Sequence, residues 1–246
     1  MIFLFTDFGS EGPYLGQIKS VLKTTTPETP IIDLLSNAPL FNPCASAFLL
    51  ASLNTQIPDG AIFLCVVDPG VGGQRDPLIF KADNKFFVGP DNGLFSIVMR
   101  RAKNKQAWKI TWKPENLSKS FHGRDLFAPV VGLLANGREV PRKKISAEVI
   151  DRKNWPNDYY KIIYIDHFGN AITGLRAKSL LEKEILEVGE QKFYRAKTFS
   201  DVAPGTAFWY ENSIGLAEIS VNQGRADQLG LKIGTNVTIS KNKSKY

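Results

Sequence analysis

Only two histidines occur in the 246-residue chain, and one of them, His122, stands in "SFHGRDLFAP", just before Arg124, Asp125 and an apolar helical pattern. An imidazole placed in a turn ahead of a helix can orient a water or take a proton near neutral pH. Three aspartates, Asp7 in "FTDFGS", Asp33 in "IIDLLS" and Asp68 in "VVDPGVGGQR", fall at or near the ends of apolar runs that read as strands. In open α/β sheets, ligands bind beyond the carboxyl ends of the strands, so carboxylates there face a crevice. Asp68 is followed by glycines that allow close backbone approach, and then by Arg75. A carboxylate, a guanidinium and an imidazole can together polarise one water, the arginine stabilising a developing hydroxide while Asp68 or His122 takes the proton. The plainer alternative is an Asp68–Arg75 ion pair that closes a loop, with His122 an ordinary helix-flanking residue, and the residues alone favour it. Asp33 reads more simply as a cap on a loop or helix start. Asp7, with Gly9 and Gly12 after it, can accept hydrogen bonds from paired sugar hydroxyls, and His167 in "IDHFGN" reads as a strand-end residue.

The elements that must position these groups alternate through the first half. "IFLFT", "PIIDLL" and "GAIFLCVVDPGVG" predict buried strands, and "YLGQIKSVLKTT" and "NPCASAFLLASLN" predict helices between them. This is the rhythm of an α/β fold, a mostly parallel sheet with flanking helices. "LIFKA" and "KFFVGPDNG" predict a hairpin or meander, and "RDLFAPVVGLLANG" a helix starting just after His122. A polar stretch from about Ile145 to Asp158 marks a boundary, giving an N-terminal domain over 1–150 and a smaller C-terminal domain over 158–246. There the strands "YKIIYIDHFG", "AITGL", "QKFYRAKTF", "TAFWYEN", "GLAEIS" and "TNVTIS" predict an antiparallel barrel or sandwich, and the terminal "NKSKY" is expected to fray.

Composition narrows the function classes. Hydrophobic residues make up 43% and charged residues 22%, which suits a globular protein with a substantial core. Lys and Arg number 31 against 24 Asp and Glu, a net charge of +7. The basic clusters "RRAKNK", "GREVPRKK" and "KNKSKY" are scattered and lack interleaved aromatics, so no nucleic-acid partner is expected. "MIFLF" is too short and lacks the basic flank of a signal peptide, no segment has membrane-span length, and no membrane partner is expected. Cys44 and Cys65, set in apolar surroundings, read as free thiols of a reducing, cytoplasmic compartment. No "GKS" or "GKT" follows the glycine-rich loop, and no HExxH or paired CxxC occurs, so neither a nucleoside triphosphate nor a metal is expected.

Six stretches, "FTDFGS", "VVDPGVGGQR", "FVGPDNG", "FHGRDLFAP", "DHFGNAIT" and "NSIGLAEISVNQGRA", span nearly the whole chain in a fixed order. In these the sequence resembles the adenosine-forming S-adenosyl-L-methionine hydrolases, also called S-adenosyl-L-methionine hydroxide adenosyltransferases, relatives of the fluorinating and chlorinating enzymes. The resemblance implies an N-terminal α/β domain, a C-terminal β-barrel domain and a homotrimer with active sites between subunits. The implied reaction is attack of water, as hydroxide, on the ribose C5′ of S-adenosyl-L-methionine, without cofactor or metal. The family's catalytic set falls on Asp68, Arg75 and His122. Asp7 matches the residue on the ribose hydroxyls, and Phe41 falls at an aromatic wall beside them. Asp166 and Ser213 match contacts to the methionine end, Asn170 and Phe199 contacts to adenine, and Asn222 lies in a loop lining the same pocket. The halogenating relatives lack the Asp-Arg-His set, which favours hydrolysis over halogenation; a protein that binds or senses S-adenosylmethionine or adenosine with little turnover is the alternative. Ser36, Asn42 and Gly174 depart from the family's usual His, Asp and Asn.

Overall fold

The computed structural model describes residues 1–241, so the terminal segment expected to fray lies outside the described residues. The chain divides into two compact units, the second beginning at Asn154.

The first unit is built on a seven-stranded sheet. Its strands are β1 (Ile2–Thr6), β2 (Ile31–Leu35), β3 (Ile62–Val66), β4 (Pro77–Ala82), β5 (Lys85–Pro90), β6 (Lys105–Ile110) and β7 (Arg142–Ile145), in the order β2-β1-β3-β5-β4-β6-β7. The β2-β1, β1-β3 and β3-β5 pairs are parallel, whereas β5-β4, β4-β6 and β6-β7 are antiparallel. The sheet is therefore mixed, where the sequence predicts a mostly parallel one. The physical reason is the short connection "DN" between β4 and β5, which can only turn the chain back, and β6 and β7 add to the edge so created.

Every residue of β1 and β3 is buried, as central parallel strands with both faces covered require. Alternation sends Ile2, Leu4, Ile62, Leu64, Val66, Ile79 and Val88 to one face. There they pack in one cluster with α1 (Tyr14–Thr25), through Leu15, Ile18 and Leu22, and with α4 (Ala128–Ala135), through Val130 and Val131. Phe3, Phe63 and Phe87 go to the other face and stack in series, centroids 5.5 and 4.6 Å apart. The remaining helices, α2 (Pro43–Leu53) and α3 (Ser96–Arg101), pack together. Helix α2 starts at Asn42, whose side chain accepts the Ala45 N–H, with Pro43 at the first helical position.

The second unit carries β8 (Tyr159–Ile165), β9 (Ala171–Arg176), β10 (Glu184–Val188), β11 (Gln191–Arg195), β12 (Ala207–Glu211), β13 (Leu216–Val221) and β14 (Thr238–Lys241), in the order β14-β10-β11-β12-β13-β9-β8. All pairs are antiparallel except β11-β12. The sheet curls until its ends approach: the segment before β14 hydrogen-bonds to β8 through Ile162 N–H to Thr235, Gly234 N–H to Ile162 and Val237 N–H to Tyr160. This curled sheet encloses a core of Ile162, Leu175, Leu186, Phe193, Trp209, Ile219 and Val237.

Candidate active site

The first unit gathers its chemistry where β1 and β3 end. These strands pair in parallel with Thr6 opposite Val66, so Asp7 and Asp68 emerge side by side from their carboxyl ends. The loop after Asp68 then turns back on itself, with Val71 N–H bonded to the Asp68 carbonyl and Gly73 N–H to the Gly70 carbonyl. Gly72 has φ +79°, and a Cβ there would lie 2.4 Å from the Lys119 carbonyl oxygen. Only glycine lets this loop press against the segment leading into His122. The Asn92 side chain, from the "PDNG" stretch, donates to the Val67 carbonyl and fixes the loop's start.

These constraints bring Asp68, Arg75 and His122 together. The Arg75 guanidinium forks onto the Asp68 carboxylate, Nε at 3.0 Å and Nη2 at 2.5 Å from Oδ2, with Nε also 3.2 Å from Oδ1. The same Nη2 lies 2.9 Å from Nδ1 of His122. A guanidinium only donates, so Nδ1 accepts and the imidazole carries its proton on Nε2. Burial, reinforced by the Arg75 charge, holds the His122 pKa below its ordinary 6.5 despite Asp68 and Asp125. All three side chains are nearly buried, Asp68 and Arg75 being 4% and 10% exposed and His122 9% exposed as a residue.

Asp68 and His122 line a cavity of about 290 Å³ together with Asp7, Phe8, Tyr14 and Phe41. Burial raises the Asp7 pKa, with the Asp68 charge adding to it, against the Phe41 N–H that donates to its Oδ2 at 3.1 Å. Phe41 holds φ +53°, a backbone region that bulky residues avoid, and its side chain is exposed.

Further residues of this cavity were not singled out by the sequence. Phe8, Tyr14 and Phe121 form an aromatic wall with centroids 5.3 to 5.8 Å apart, Phe121 meeting the other two edge to face. Their proximity to "TDFGS" and to His122 is the only signal that could have marked them. Asp125 accepts the Ser118 N–H and pairs with Arg124, whose guanidinium lies over the Phe121 ring, so the loop before His122 is clamped to the helix after it. That helix begins with one wide π turn over Gly123–Phe127 before α4. Pro129 explains it: a proline cannot donate to the carbonyl four residues back and its ring crowds that group, which a wider turn relieves.

The second unit holds its assigned residues in separate local structures. Asp166 follows β8 and accepts both the backbone N–H and the side-chain amide of Asn170, at 2.8 and 2.9 Å. Phe199 sits against Phe208 and Tyr210, centroids 5.1 and 5.3 Å away, on a short turn capped by Thr198 and Asp201. Asn222 donates to the Val202 carbonyl below that turn, and Ser213 is exposed on the β12–β13 turn, at the other end of those strands. His167 is exposed, with its ring against Phe168.

Asp33 needs correction: it lies within β2 and pairs with Lys19 at the surface, so it caps nothing. Of the three departures, Asn42 serves as the α2 cap. The Ser36 carbonyl accepts the Gly9 N–H, a backbone contact indifferent to side chain. At Gly174 a Cβ would lie 2.6 Å from the Tyr159 Cβ, so this chain closes that position by packing β8 onto it. Among the described residues, no group of three or more His, Cys, Asp or Glu is arranged to hold a metal ion, and no helix is long and apolar enough to cross a membrane.

Comparison with known proteins agrees with this division. Residues 2–144 match the model of the SAM hydroxide adenosyltransferase N-terminal domain, and residues 160–238 that of the C-terminal domain. The chain is 32% identical to an (R)-S-adenosyl-L-methionine hydrolase of Thermus thermophilus over 258 residues, 97% of this chain and 98% of that protein. It is 33% identical to one of Salinispora tropica over 251 residues, 96% and 95% of the two chains. Among solved structures, an uncharacterized conserved protein from Thermotoga maritima superposes with TM-score 0.87 at 30% identity, covering 98% of this chain and all of that one.

Proposed function

The chain belongs to the SAM hydroxide adenosyltransferase family, and on that footing we propose that it hydrolyses S-adenosyl-L-methionine to adenosine and L-methionine. The observation that carries this reading is the buried Asp68–Arg75–His122 unit, whose Asp68 and His122 line one cavity with Asp7. The substrate's sulfonium leaves as a neutral thioether, so the methionine side needs no acid. What remains is to deliver an activated, aligned water, a poor nucleophile at its bulk pKa of about 15.7.

In this site Arg75 supplies the fixed positive charge that stabilises hydroxide character. His122 presents Nε2–H and orients the water. With Nδ1 engaged by Arg75 and Nε2 already protonated, the imidazole has no vacant nitrogen for a second proton, which leaves Asp68 as the acceptor. As the C5′–O bond forms the C5′–S bond breaks, its electron pair leaves on sulfur, and the water's proton passes by Asp68 to solvent. Asp7 holds the ribose hydroxyls beside the Phe41 ring. Alignment of the attacking pair contributes about 7–11 kcal/mol in well-oriented systems.

Asp166 and Ser213 take the methionine end, Asn170 and Phe199 the adenine, and Asn222 shapes the same surface. The working assembly is a homotrimer whose sites lie between subunits. Two features support it: the first unit's cavity is at the small end of ligand sites, about 300–1,000 Å³, and Leu40 and Phe41 beside it are 67% and 73% exposed. The reaction calls for no cofactor, because the leaving group arrives activated. Two free cysteines suit a cytoplasmic setting.

The test is to incubate the purified protein with S-adenosylmethionine in halide-free, oxygen-18-labelled water. Adenosine and methionine in equal amounts, with the label in adenosine, are expected; bound substrate without product would overturn the reading.

A further inference from the structure

Strands β12 and β13 carry two faces of opposite character. Trp209, Ala217, Ile219 and Val221 point into the core of the second unit. On the other face the ladder pairs Tyr210 with Glu218 and Phe208 with Ser220. Glu218 there is only 4% exposed and Ser220 fully buried. Among the described residues the carboxylate accepts from three neutral donors: Tyr210 Oη to Oε1 at 2.7 Å, Ser220 Oγ to Oε1 at 3.3 Å, and Asn212 Nδ2 to Oε2 at 2.9 Å. Burying a carboxylate this way is costly, and the apolar core on the opposite face does not require it.

What the carboxylate does require is visible at each oxygen. On one side, Asn212 turns its own Oδ1 to the N–H groups of Ile214 and Leu216, at 3.1 and 3.0 Å, closing the turn that presents Ser213. On the other side, the Tyr210 ring meets Phe199 at 5.3 Å and Phe208 at 5.7 Å. Burial, followed by the Glu218 hydrogen bond and charge, pushes the Tyr210 phenol well above its ordinary pKa, so it remains a donor across the working range. Glu218 thus stands between the two ends of the surface.

We infer that Glu218 is a positioning residue for the substrate: through Asn212 it fixes the Ser213 turn and through Tyr210 it fixes the Phe199 ring, setting the spacing between the methionine and adenine contacts. The inference rests on the reading of Ser213 and Phe199 given above. It goes beyond that reading by assigning a role to a residue that touches neither substrate nor water.

The test compares wild type, Glu218→Ala, Glu218→Gln and Tyr210→Phe in steady-state turnover of S-adenosylmethionine, with melting temperature measured alongside. Glutamine can satisfy all three neighbours, its oxygen accepting from Asn212 while its amide donates to the two hydroxyls, which can accept. Glu218→Ala should raise KM about tenfold or more with kcat within about threefold, as expected for lost ground-state binding. Glu218→Gln should return KM to within about threefold of wild type, and Tyr210→Phe, which frees only the aromatic side, should fall between the two. A purely structural role would lower the melting temperature and the active fraction, hence apparent kcat, at constant KM. That result, or a glutamine variant as impaired as alanine, would overturn the inference. Should Glu218→Ala not fold, Tyr210→Phe with unchanged KM would overturn it equally. Failure of wild type to release adenosine and methionine would instead strike the functional reading.

Discussion

The two units hold their functional groups by opposite means. In the first, the groups sit on loops at strand ends and are locked by charge: a guanidinium forked onto a carboxylate, and a second ion pair, Arg124–Asp125, clamping the loop before His122. In the second, a buried carboxylate, Glu218, lies on a sheet face and accepts from neutral donors. On the proposed reading, the difference follows from the tasks. Generating hydroxide needs a permanent cation close to a water, whereas holding adenine and an amino acid needs surfaces at a fixed spacing. The first unit should therefore govern kcat and the second KM.

The sharpest way to break that division is Asp68→Ala, which removes the carboxylate that orients Arg75. Turnover should fall about a thousandfold while substrate affinity stays close to wild type, measurable by single-turnover kinetics beside equilibrium binding. Gly72→Ala comes next. Its Cβ would collide with the Lys119 carbonyl, separating the Arg75 loop from the His122 segment, and a displacement of about 1 Å costs on the order of a hundredfold in kcat. Phe199→Ala probes the other unit and should raise KM about tenfold, since stacking of a base on an aromatic ring contributes roughly 1–3 kcal/mol, with kcat largely kept.

A smaller effect concerns pH. His122 must be neutral to accept from Arg75, and its pKa lies below 6.5 in the folded protein. Activity should hold at neutral pH and fall only as acid brings the imidazole to its lowered value; an NMR titration of His122 in step with the kcat/KM profile checks this. The linked stability has the same sign. The unfolded chain binds the proton from about 6.5 downward and the folded chain only later, so stability is full above that pH and is lost as pH falls through the folded value. The smallest effect is at Asn42, where Asp should be neutral and Ala should cost about 1 kcal/mol in thermal denaturation, with the reaction untouched.

Much of this was legible in the chain because strong local signals carried it. The apolar runs of β1 and β3 could only be buried strands, and the glycines after Asp68 announced a tight loop beside a carboxylate. Parallel and antiparallel neighbours, by contrast, share the same alternation, so β7, the polar edge strand "RKKI", and its neighbour β6, "KQAWKI", gave no hint of their pairing. Nor did β10 show itself, since "EILEV" reads equally as a short helix. The π turn before α4 depends on one proline in a sequence otherwise regular for a helix. Glu218 was readable in principle: in "LAEIS" it is the charged residue out of phase with an apolar face, and such a residue on a central strand must be exposed or partnered.

Phe41 shows where sturdiness and use part company. A phenylalanine held at φ +53° costs about 1–3 kcal/mol that a glycine in its place would not. Anyone seeking a more heat-resistant version of this protein by relieving backbone strain would choose this position early, and Phe41→Gly should indeed melt later. It would also take the ring from the cavity and loosen the one amide that Asp7 accepts from this loop. On the proposed reading, relieving this strain would trade catalysis for durability.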